Sequence, residues 1–122
     1  MKKRVEKLVP QAIDVIADPN IRLLKNNKVS SQYNGYISSF GASVIQSGLA
    51  PAVAFYSNES SKSDKDKKAL LKAIAKLMNI EMSLLKYVCD NDNAKTKDWI
   101  LDIATALKLA IRTYELDKTD KQ

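Results

Sequence analysis

The chain contains no histidine and only one cysteine, Cys89. Histidine titrates nearest neutrality, and with cysteine it supplies most zinc ligands, so acid–base and zinc chemistry lose their usual residues. One thiol forms no intramolecular disulfide, and the opening Met1-Lys2-Lys3-Arg4-Val5-Glu6 carries no apolar signal segment. A cytoplasmic setting is expected. Glycine and proline number three each, which favours long helices over a turn-dense β architecture. No apolar run approaches the roughly 18 residues of a membrane span, the longest being Leu49 to Tyr56, and no membrane contact is expected.

Missing motifs exclude further classes. Gly35, Gly41 and Gly48 match neither the dinucleotide nor the nucleoside-triphosphate loop spacing, so no cofactor is expected. Asp90 and Asp92 lack the remaining ligands of a calcium loop and read as a turn. Cys89 falls on an apolar helical arc and reads as a core thiol. Asp98 and Asp102 stand one turn apart near a helix start, where the macrodipole favours an exposed carboxylate without any chemistry. No metal site and no catalytic residue is assigned.

What is present is a chain of 122 residues, 45% hydrophobic, expected to form one α-helical domain over 1–122 with a fraying tail at 117–122. The fold expected is an all-α, compact bundle of five to six helices. Val5, Leu8, Val9, Ala12 and Ile16 recur at three- and four-residue steps and predict a helix over 3–17, stopped by Asp18-Pro19. Residues 19–30 read as a partly packed connection with one helical turn. Tyr33, Tyr36, Ile37, Phe40 and Val44 predict a helix over 31–47 whose small residues, Gly35, Ser38, Ser39 and Ala42, would admit a second helix.

Gly48 supplies a left-handed stop, Leu49 folds back, and Pro51 starts a short buried helix through Tyr56. Ser63 and Asp66 resemble a capping box for a helix over 64–78 with Leu70, Leu71, Ile74, Leu77 and Met78 inward. A shorter helix follows to Asp90, and a last one runs over 96–116 with Trp99, Ile103, Ala106, Leu107, Ala110 and Tyr114 inward. No β-alternating run competes with these helices.

Twenty Lys and Arg against 14 acidic residues give a net charge of +6, which suits a polyanion. Lys65, Lys68, Lys72 and Lys76 fall within about 80° of one another and span about 16 Å of one helix face. Lysines so placed meet phosphates without reading base edges. With Lys7, Arg22 and Lys25 they form the candidate nucleic-acid-binding set. Tyr33, Tyr36, Phe40, Trp99 and Tyr114 coincide with inward faces, so single-strand stacking is not expected.

The order Tyr36, then Val44-Ile45-Gln46-Ser47-Gly48-Leu49, then Ala54-Phe55-Tyr56, resembles the signature of a CRISPR-associated family. It is the small α-helical subunit of type III-B RNA-targeting effector complexes, the fifth protein of the Cmr module. The resemblance implies a non-catalytic scaffold of an antiviral ribonucleoprotein. Such a subunit stacks on copies of itself beside the guide-bearing filament, among the other subunits, and helps hold the guide–target RNA duplex. Ser47 stands where the family has Asn, and Gly41-Ala42 where Leu-Pro is common. Ile37, Ser38 and Ser39 replace usual basic residues, which moves the expected RNA contacts to the seven basic residues named above. Two other classes stay open: a helical adaptor that binds only protein, and a small carboxylate-dependent nuclease or hydrolase that uses acidic residues and a metal.

Overall fold

The first helix, α1 (Lys3–Ala17), forms because Val5, Leu8, Ala12, Val15 and Ile16 share one buried stripe. The computed structural model describes residues 3–25, 27–57 and 62–117, with 25, 62–65 and 115–117 described by backbone alone. Pro10 lies inside α1 with its ring exposed, so the hydrogen bond it deletes is on the solvent side. The helix stops at Asp18 as the sequence predicts. There the Asp18 side chain accepts from the Asn20 N–H at 2.9 Å, and its carbonyl accepts from the Ile21 N–H at 3.1 Å.

The connection expected to hold a helical turn instead forms a tight hairpin. β1 (Leu24–Lys25) pairs antiparallel with β2 (Lys28–Ser30), placing Leu24 opposite Val29. Asn27 sits in the left-handed region at φ 63, which asparagine tolerates better than most residues and which lets the chain reverse here. Leu23 and Val29 are buried and tie the hairpin to the core.

α2 (Gln32–Ser47) buries Tyr33, Ile37, Phe40 and Val44 against α3 (Leu49–Tyr56) and α6 (Ala94–Ile111). Its small face is a correction to the sequence reading: Gly35, Ser38, Ser39 and Ala42 are exposed, and no helix among the described residues covers them. A Cβ built on Gly35 or Gly41 would meet nothing within 4 Å. Gly48 reverses the chain at φ 99, ψ 162, an extended conformation of positive φ and not the left-handed helical one expected. Its N–H donates to the Val44 carbonyl at 3.1 Å, and Leu49 beyond it is 2% exposed.

α4 (Lys62–Met78) begins before Ser63, which therefore lies inside the helix and does not cap it. Leu70, Leu71, Ile74 and Met78 form its buried side. Its end is a Schellman turn, with Asn79 at φ 59, Asn79 N–H to Lys76 O at 3.0 Å and Ile80 N–H to Ala75 O at 3.2 Å. α5 (Leu84–Asp90) starts on Ser83, whose hydroxyl accepts from the Lys86 N–H at 3.2 Å. It buries Leu84 and Val88, so Cys89, about 100° further round, is exposed and is no core thiol.

Asn93 caps α6 by accepting from the Thr96 N–H at 2.9 Å. α6 ends at Ile111, short of the predicted Leu116, because Arg112 to Tyr114 turn the chain toward the hairpin. The Tyr114 hydroxyl donates to the Ile13 carbonyl of α1 at 3.0 Å, and β3 (Glu115–Asp117) then runs parallel to β2, with Leu116 beside Val29 and Asp117 beside Ser30. Asp117, assigned from sequence to the tail, is thus a strand residue; residues 118–122 lie outside those described. The described residues hold six helices and a three-stranded ribbon in the order β1-β2-β3. The buried side chains of all six helices join in one cluster that includes the fully buried Phe40, Ile74, Ile103 and Leu107.

Candidate nucleic-acid interface

The spacing that segregates Leu70, Leu71 and Ile74 to one side of α4 turns Lys68, Lys72 and Lys76 the other way. Lys68, Lys72 and Lys76 edge an open groove of about 560 Å³ between α4 and the turn into α5. Its floor is apolar, built from Ile21, Leu71, Ala75, Ile80, Met82 and Leu85. Lys72 and Lys76 are exposed and Lys68 is half-buried. Lys76 also makes an ion pair with Asp18 at the end of α1. That hydrogen bond, with a second from the Asn20 N–H, holds the Asp18 carboxyl below its ordinary range.

The remaining predicted cations are more scattered. Arg22 is exposed, with a left-handed backbone at φ 67, directly after Ile21 of the groove floor. Lys7 is exposed on the outer side of α1. Lys25 lies in β1 and Lys65 in α4, and their side chains fall outside the described residues. The groove thus brings together three of the seven residues chosen from sequence.

A cation that periodicity passed over sits among aromatic rings. The Lys67 ammonium lies 4.9 Å from the ring centre of Phe55 and 5.5 Å from those of Tyr36 and Tyr56. Phe55, expected in a buried helix, is 63% exposed. The clue was in the spacing: Leu49, Ala52, Val53 and Tyr56 already fill the inward arc of α3 and leave Phe55 outside it. Burial pushes the Tyr36 and Tyr56 phenols up, with the nearby Asp66 charge adding to the shift at Tyr36. Tyr33 donates to Asp66 Oδ1 at 3.3 Å, joining α2 to α4.

The carboxylates do not converge. Asp98 is exposed, but Asp102 is 5% exposed, contrary to the sequence reading, because Arg4 of α1 reaches it at 2.8 Å. Among the described residues no three His, Cys, Asp or Glu side chains are grouped to hold a metal ion. No helix among them is long and apolar enough to cross a membrane.

The geometry defines a small helical protein with a lysine-edged groove and an aromatic cluster gripping a further lysine. The family model described as CRISPR-associated protein (Cas_Cmr5) matches residues 6–113, and the chain belongs to that family. Membership makes it a subunit of the Cmr effector complex, assembled with other subunits. No curated protein and no solved structure matches the chain.

Proposed function

We propose that the chain is a non-catalytic subunit of a type III-B RNA-guided ribonucleoprotein of antiviral defence. It acts in the cytoplasm as one domain, stacks on copies of itself beside the guide-bearing filament, and contacts the guide–target duplex through cations. The observation that supports the contact is the alignment of Lys68, Lys72 and Lys76 along one edge of α4. Lysines at one-turn intervals neutralise successive phosphates and read no bases, which suits a protein that serves any guide.

Duplex affinity of the protein with Lys68→Glu and Lys72→Glu, measured across salt concentrations, tests this. The expected result is weaker binding with a salt slope shallower by about one for each phosphate no longer neutralised. Unchanged affinity and slope remove the RNA contact. Non-catalytic status is checked with labelled RNA and magnesium or manganese: no cleavage is expected, and cleavage abolished by Asp102→Asn overturns it.

The apolar floor of the same groove, where Met82 is 45% exposed, favours a second reading. A helical adaptor would seat a protein segment there without touching RNA. Met82→Lys then blocks entry into the complex, and the parent shows no duplex affinity for the lysine substitutions to change.

A further inference from the structure

Three large hydrophobic residues are exposed among those described: Ile45, Phe55 and Met82. Met82 belongs to the groove under Lys72, and Ile45 to a second groove between α2 and α6. Phe55 lines neither, and its exposed neighbours on α3 are only Pro51 and Ala54. A protein partner would need a wider apolar patch than one ring with two small residues.

The ring is also fixed in place. Ala52, Val53 and Tyr56 on either side of it are at most 2% exposed, so α3 holds Phe55 outward on a rigid base. Tyr56 packs against it at 5.9 Å with the rings tilted by 57°, and the Lys67 ammonium sits 4.9 Å from its centre. α4, which supplies that lysine, carries six lysines against two aspartates. A largely exposed ring that carries a cation over one side, on a basic helix, offers complementary contacts to the two parts of a nucleotide, a flat base and a phosphate.

We infer that Phe55 is a stacking platform for one unpaired nucleobase of single-stranded RNA, with Lys67 meeting the adjoining phosphate. This deepens the RNA-contact reading above and rests on it. Paired bases present only their edges, so a ring of this kind takes a base that is splayed out of, or never in, a duplex. The contact is tolerant of sequence, since every base has a π-face.

The test is titration of the full chain with a short single-stranded oligoadenylate carrying one 2-aminopurine, whose fluorescence is quenched on stacking. Quenching is expected with the parent. Phe55→Ala should abolish it and lower affinity about tenfold, whereas Phe55→Trp retains both. Lys67→Gln should keep the quenching and reduce the salt slope by about one. Because Phe55 is exposed, the alanine variant should melt with the parent.

Equal affinity and quenching in parent and Phe55→Ala, or no quenching by the parent, overturns the inference. So does a Phe55→Ala protein that binds RNA normally but fails to enter the complex, which would mark a protein contact. The duplex measurement on Lys68→Glu and Lys72→Glu stands apart: if it succeeds while Phe55→Ala is silent, only the stacking site falls. If duplex binding also ignores the lysines, the broader RNA reading falls as well.

Discussion

Arg4 Nε donates to Asp102 Oδ2 at 2.8 Å, joining the first turn of α1 to the middle of α6 across 98 positions of sequence. The carboxylate end is 7% exposed and the arginine end 49%, so the bond runs from solvent into the helix interface. α1 and α6 form the most extensive helix pair of the fold, and this bond sets where along their length they meet. Arg4→Met removes this bond to a buried carboxylate and should cost about 1–3 kcal/mol. Thermal melting measures it, and pairing the change with Asp102→Leu should recover part of the loss. Equal melting of parent and Arg4→Met would show that the bond contributes nothing.

The ion pair of Asp18 with Lys76 makes stability depend on pH. Unfolded, the Asp18 carboxyl titrates near 3.8, and folding lowers that value. Its contribution is therefore complete above about pH 5 and is lost as pH falls through the folded value. Asp18→Asn should melt below the parent at neutral pH and approach it at about pH 3. A gap that widened on acidification would contradict the assignment.

Tyr56 behaves in the opposite sense. Its hydroxyl donates to the Tyr36 carbonyl at 2.8 Å, and burial raises its pKa above the ordinary 10.0. The folded protein keeps this proton where the unfolded chain releases it, so the contribution is whole below pH 10 and falls as pH rises further. Tyr56→Phe should cost about 1 kcal/mol near neutrality and lessen the alkaline loss of stability, as followed by melting at neutral and alkaline pH.

Glycine replacements should split in sign. A Cβ at Gly48 would sit 3.6 Å from the Pro51 ring, an ordinary contact, so the cost of Gly48→Ala lies in the backbone at φ 99, about 1–3 kcal/mol. Gly35 lies in an exposed helix interior with no atom near its absent Cβ. Gly35→Ala should stabilise by about 0.5–1 kcal/mol. Chemical denaturation of both variants reads the two signs directly.

The helices were legible because each buries residues at three- or four-residue steps, a pattern visible in the sequence; the boundary at Asp18 and the reversal at Gly48 follow from local chemistry. The β-ribbon was not. Strands of two and three residues are too short to show alternation, and β3 owes its state to β2, more than 80 positions earlier, a parallel pairing with no local signal. On a helical wheel Tyr114 simply extends α6, which is why that helix was drawn too long.

At the candidate site, periodicity showed which lysines share a face but not what lies opposite. That Lys76 meets Asp18, and that Lys67 meets Phe55, depends on how α4 docks against the end of α1 and against α3. Asp102 was read as exposed for the same reason: its burial is a property of α1, whose Arg4 no local window around Asp102 contains.

The dominance of the α1–α6 pairing has a consequence for biosynthesis. As the chain leaves the ribosome, α1 emerges with Val5, Leu8, Ala12 and Ile16 uncovered, and the helix that shields them is made some eighty codons later. Consolidation must wait for that closure, so nascent chains carry a sticky amphipathic segment and are candidates for chaperone capture until α6 docks.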